Sequence, residues 1–169
     1  MPDQKRITYV PKEIEVLADQ VGSFIQYWGF KKIHGQIWTH VWLAQNPIDA
    51  TTLVKRLQVS KALVSLAIKD LLQYDVIRVL GQGDRRKILL VPNEDVQTVI
   101  SNVLRLRETK MLGEITASQE ALSSASDELK SKTDLNQERL EQMKLMTQMA
   151  QMALSALITS NLDLDKIEF

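Results

Sequence analysis

Apolar residues recur along this chain with a helical period, then briefly with that of strands, then helically again, and the two changes of period mark out its elements. Ile14, Leu17, Val21, Phe24, Ile25 and Trp28 follow the i, i+3, i+4 spacing of one helix face. Pro11 suits an early position in that helix, where no backbone N–H is needed, and Gly29 offers its end. A second helix is predicted from about Gly35 to Ala44, broken by Asn46-Pro47, because a proline pushes the residue before it out of the helical region. Asp49 is placed to cap a third helix over Ala50 to Leu57. Gln58 and Val59 make a short turn, and Ser60 caps a fourth helix from Lys61 to Tyr74.

The period then falls to that of strands. Val76 to Leu80 and Lys87 to Val91 are aliphatic runs separated by Gly81-Gln82-Gly83-Asp84-Arg85-Arg86, the pattern of a two-stranded hairpin with a basic tip. Beyond Pro92 the helical period returns, with Val96, Val99, Ile100, Val103, Leu104, Met111, Leu112 and Ile115 toward one side. Ser118 to Lys132 is polar and serine-rich and reads either as a loosely held helix or as a break. A last helix, about Leu135 to Ile158, carries Leu140, Met143, Met146, Met149, Met152, Ala153, Leu157 and Ile158, which reads as a dimer seam in preference to an open ligand groove. Asn161 to Phe169 has the composition of a frayed acidic tail.

Two short helices joined by a tight turn and followed at once by a hairpin form a helix-turn-helix with a wing. Leu53, Leu57, Val59, Val64, Ile68 and Leu71 have the spacing that locks the two helices together, with Val59 buried in the turn. Ser60, Lys61, Ala62, Ser65, Leu66 and Lys69 then form an outward stripe. A major groove admits one helix, small side chains near its start allow close approach, and lysines reach phosphates or guanine edges. Leu66 suits a thymine methyl. Arg85, Arg86 and Lys87 on the wing suit backbone phosphates or a narrow minor groove. The competing readings are a solvated helix face and a loop that is basic only for solubility.

Charge strengthens the DNA reading once its distribution is considered. The 169-residue chain has 21 basic and 21 acidic residues, a net charge of zero. Ala50 to Pro92, however, holds eight Lys or Arg against three Asp, whereas Asn93 to Phe169 holds eight basic against thirteen acidic residues. A basic middle beside an acidic tail suggests one face for a polyanion and another that avoids it. The absence of cysteine excludes disulfides and thiolate metal sites and fits a cytoplasmic setting. No apolar stretch approaches the roughly 18–20 residues of a membrane span, so no membrane partner is expected. His34 and His40 lie six apart, without the i, i+4 spacing of a helical metal pair, so neither metal nor cofactor is expected. No nucleophile is paired with a base in a recognisable motif, which argues against an enzyme.

The run Gly29-Phe30 through Gln36-Ile37-Trp38-Thr39-His40, then Val59-Ser60-Lys61-Ala62-Leu63-Val64-Ser65-Leu66-Ala67-Ile68-Lys69-Asp70-Leu71, resembles the GbsR-type branch of the MarR-like regulators over about residues 20–112. The resemblance implies a homodimer of winged-helix domains held by terminal helices, repressing genes for osmolyte uptake or synthesis from a pseudo-palindromic operator in double-stranded DNA. Tyr27, Trp28, Trp38 and Trp42 then invite a reading as an aromatic cage for a quaternary ammonium osmolyte, held by cation–π attraction. The plainer reading of these rings is packing between the first two helices.

The expected fold is thus mainly α: a winged helix-turn-helix with a two-stranded β-wing, plus N- and C-terminal dimerisation helices. The expected divisions are an N-terminal helix over 1–34 that contributes to dimerisation, a DNA-binding domain over 35–92, a C-terminal dimerisation region over 93–160 and an acidic tail over 161–169. The rival functions are a winged helix that recruits a protein partner and an architectural DNA binder without sequence preference.

Overall fold

The computed structural model describes residues 9–83 and 87–159. The chain divides into two compact units, Met1–Glu94 and Asp95–Phe169.

In the first unit, α1 (Lys12–Tyr27) opens where the Pro11 carbonyl accepts from the Ile14 and Glu15 N–H groups, and Glu13 and Glu15 place negative charge at its positive end. It closes with Gly29 at φ 83°, whose N–H donates to the Gln26 carbonyl while that of Phe30 reaches the Ile25 carbonyl. A left-handed glycine with this pair of bonds satisfies the last free carbonyls of a helix. α2 (Lys32–Trp42) begins three residues before the expected Gly35. The reason is His34, whose Nδ1 accepts from the Lys31 N–H at 3.3 Å, the task that Glu or Gln performs in a capping box. Gly35 falls inside the helix because α1 and α2 touch there: a Cβ on Gly35 would lie 2.8 Å from the Gly22 Cα, and one on Gly22 would lie 2.7 Å from the Lys32 carbonyl oxygen.

α3 (Ala50–Leu57) starts at Asp49, whose carboxylate accepts from the Thr52 N–H at 2.7 Å, and α4 (Lys61–Gln73) starts at Ser60, which accepts from the Leu63 N–H at 3.2 Å. Between them Gln58 adopts the left-handed conformation at φ 53° and its N–H closes onto the Val54 carbonyl. α4 ends on the same device as α1, built on Asp75 at φ 56°. The side chain of Asp75 is engaged by Arg78 Nε at 2.8 Å and by the buried Asn93 at 3.1 Å, while Asn93 Nδ2 also donates to the Asp75 carbonyl at 2.9 Å. These bonds anchor a residue type that tolerates the left-handed region better than most.

The sheet has three strands, one more than expected. β2 (Ile77–Gln82) pairs antiparallel with β3 (Ile88–Pro92), and the short β1 (Ile48–Asp49) pairs with the other side of β3, giving the order β1-β3-β2. Two residues carry no readable period, so β1 left no signal in the sequence. A register shift between Val79 and Gly81 adds a bulge, which increases local twist in the hairpin. The core joins Ile33, Ile37 and Val41 of α2, Ile48, Leu53, Val64, Ala67 and Leu71 of the helix-turn-helix, and Ile77 and Leu90 of the wing. Leu53, Val64 and Leu71 are buried as expected, whereas Leu57, Val59 and Ile68 pack partly buried around them.

The second unit is helical: α5 (Val96–Val103), a π-helical turn (Leu104–Glu108), α6 (Thr109–Ser123), α7 (Asp127–Lys132) and α8 (Gln137–Thr159). Asp95 caps α5 through the Thr98 N–H at 2.9 Å. The serine-rich stretch contains the end of α6, a break at 124–126 and the short α7. α6 and α8 pack together through buried Leu140, Thr147 and Leu154, with Gln119 donating to Thr147 at 3.0 Å and Gln151 to Thr116 at 3.1 Å. The 7-residue spacing of the buried positions turns the methionines away: Met143, Met146, Met149 and Met152 are all more than half exposed. Residues 161–169 lie outside the described residues.

Candidate nucleic-acid interface

The second helix of the helix-turn-helix has two faces of opposite character. Val64, Ala67 and Leu71 of α4 face the core, while Ser60, Lys61, Ala62, Ser65, Leu66 and Lys69 are all exposed. Leu66 is 58% exposed and takes no part in the core. The stripe therefore exists as one continuous surface, led by the capped N-terminus of α4, whose free N–H groups favour an anion.

α4 is clamped at one corner. Asp70 lies 3.1 Å from His34 Nε2 and 3.6 Å from Lys31 Nζ, tying α4 to the start of α2. With Nδ1 accepting from the Lys31 backbone, Nε2 carries the proton of a neutral ring and donates to Asp70. Burial holds the His34 pKa below its ordinary value despite the Asp70 carboxylate, which acts the other way. Phe30 stacks edge-on to both His34 and Tyr74, at 6.1 and 5.9 Å between ring centres, closing the same corner.

The wing is fixed at its base. Lys87 Nζ lies 2.8 Å from Asp49 Oδ2, so the carboxylate that caps α3 also holds β3. Burial pushes the Asp49 carboxyl up, but the hydrogen bonds from Lys87 and from the Thr52 N–H bring it below its ordinary value. Lys87 thus has a structural partner, which the sequence did not foretell. Gly83 N–H closes the tip onto the Lys87 carbonyl at 2.8 Å, and Arg85 and Arg86 lie outside the described residues.

A search of the solved structures finds one described as the crystal structure of a transcriptional regulator, with a TM-score of 0.62 over 86% of this chain and 95% of that one, at 15% identity. The likeness is one of fold. No known family model matches the chain, and no curated protein does.

The four aromatic residues considered for a cage fall into two separate pairs. Trp38 and Trp42 lie 5.2 Å apart between ring centres and are tilted by 33°, and both are partly buried. Tyr27 packs edge-on to Trp28 at the far end of α1, with 86% and 60% exposure. No ring contact joins the pairs among the described residues. Among the described residues no group of His, Asp or Glu side chains could hold a metal, and no helix is long and apolar enough to cross a membrane.

Proposed function

We propose that the protein is a DNA-binding transcriptional regulator of the GbsR-type, MarR-like kind, which binds a pseudo-palindromic operator as a homodimer and represses genes of osmolyte uptake or synthesis. The observation that carries the DNA reading is the exposed stripe of α4, six residues of small, basic and single aliphatic character on a helix whose other face is locked into the core. Ser65, Ala62 and Leu66 read base edges, Lys61 and Lys69 take phosphates or guanine edges, and Arg85 and Arg86 grip the backbone beside them. Lys87 serves the wing more than the DNA, since Asp49 already engages its ammonium.

The dimer reading is supported by α8, whose outer face presents Met143, Met146, Met149, Met152 and Leu157 to solvent in the single chain. Such a contiguous apolar strip marks a surface that a partner covers, and a two-fold copy of the same strip is the simplest cover.

The test is binding of duplex DNA at graded salt by the wild type and two variants. Arg85→Ala with Arg86→Ala lowers affinity for every sequence and flattens the salt dependence, because fewer counterions are released. Ser65→Ala or Leu66→Ala changes the preferred bases at a cost of about 1–3 kcal/mol per altered contact. A chain that binds no duplex at low salt is instead a protein-recruiting module.

A further inference from the structure

The corner where α4 meets the start of α2 is closed by one buried imidazole with a task at each nitrogen. His34 Nδ1 accepts from the Lys31 N–H at 3.3 Å, completing the cap of α2, and its Nε2 donates to Asp70 of α4 at 3.1 Å. Asp70 follows Lys69 and stands one helical turn beyond Leu66, so it holds the far end of the reading stripe. Val64, Ala67 and Leu71 bind α4 to the core through apolar contacts, which have no direction. A directional bond to one edge of the helix resists its rotation about its own axis, and that rotation decides which way the stripe points.

Only the neutral ring performs both tasks. An imidazolium is a donor at both nitrogens. A proton on Nδ1 would face the Lys31 N–H, donor against donor, across a separation that now holds a hydrogen bond. The Asp70 carboxylate draws the new charge, but Lys31 Nζ stands 3.6 Å from the same Oδ2 and shares it. Protonation therefore sets the cap of α2 against the tie to α4. Burial is the largest influence against that proton, Asp70 opposes it, and Lys31 adds to it. The charged groups of the other elements packed on α2 are turned elsewhere: Asp19 of α1 holds Lys32, Arg56 of α3 acts on His40, and Lys87 of β3 is held by Asp49. Tyr74, at the end of α4, meets the Phe30 ring, which in turn meets His34.

We propose that His34 is a positioning residue for the reading helix: it holds α4 through Asp70 only while its ring is neutral, so that uptake of one proton loosens the helix and weakens duplex binding. A single ring thus couples proton concentration to the placement of the stripe. The link to duplex binding rests on the DNA reading above; the link from the ring to α4 does not.

Two measurements keep these links apart. In the DNA-free protein, NMR follows both histidine rings from pH 8 to about 5, with His34→Gln assigning them, and follows the backbone amides of α4 in the same samples. The His34 ring titrates below the ordinary histidine value, and the α4 amides around Asp70 move with the same midpoint. Asp70→Asn removes the carboxylate that favours the charged ring, so both midpoints shift together to lower pH, which a merely structural side chain would not cause. Duplex binding is then measured at fixed salt over the same range. Wild-type affinity falls, relative to that of His34→Gln, by up to about tenfold per pH unit below the midpoint, the limit for one linked proton. Gln is the reference because it offers an acceptor to the Lys31 N–H and a donor to Asp70 and does not titrate. A His34 ring that stays neutral to the acid end of the range, one that titrates with no response from α4, Asp70→Asn midpoints that stay in place, or the same pH profile of duplex binding in the wild type and His34→Gln overturns the proposal. A chain that binds no duplex at any pH removes the DNA reading and leaves the shared midpoint of ring and helix standing.

Discussion

Two glycines separate packing from propensity at the level of single residues. A Cβ on Gly35 would meet the backbone of α1 at under 3.0 Å, whereas one on Gly113, inside α6, would meet nothing within 4 Å. Gly35→Ala must push α1 and α2 apart and is expected to cost about 1–3 kcal/mol. Gly113→Ala gains about 0.5–1 kcal/mol from helix propensity alone. Urea midpoints of the two variants check both signs. The histidines give a second expectation. Burial holds both His34 and His40 below the ordinary histidine value of 6.5, so the folded state favours their neutral forms. Their contribution is fully present above that value and is lost as pH falls through the lower folded values. The loss has a slope of at most about 1.4 kcal/mol per pH unit for each ring. Denaturant midpoints should be flat from pH 8 to 7 and decline below 6.5; a flat profile down to pH 5 contradicts it.

Elements were legible in the sequence where a side chain both signalled and performed a task. Asp49 and Ser60 cap the helices they were expected to cap, and the outward positions of α4 followed from period alone. What escaped notice depends on contacts between distant segments. β1 exists because β3 offers it an edge, and α2 starts early because His34 turns back to its own cap. Asn93 is buried because Asp75 needs a donor there, a match across 18 positions that no periodicity records. The candidate site divides in the same way: the stripe was readable, but the Lys87–Asp49 pair arises only on folding. For α8 the apolar residues were evident, but which of them face α6 was not. Leu140, Thr147 and Leu154 turn inward, leaving the methionines outward. Met146→Glu with Met149→Glu should therefore leave a helical, folded chain that sediments as a monomer, because two charges on each copy cannot be buried unpaired. A variant that stays dimeric moves the interface elsewhere.

At the scale of the whole molecule, a basic winged-helix unit is followed by a helical unit whose last helix exposes a strip of methionines. The proposed dimer is expected to engage half-sites about 34–36 Å apart, one helical turn of DNA or a multiple of it, with neither half binding as well alone. The Met146→Glu, Met149→Glu monomer should accordingly keep its response to salt while losing most of its affinity for the full site. The most direct test of the central claim is selection of bound duplexes from a random pool by the wild-type protein at moderate salt. The account predicts enrichment of a two-fold symmetric motif with half-sites at that spacing, altered at defined positions when the selection is repeated with Leu66→Ala. Recovered duplexes indistinguishable from the input pool would contradict it.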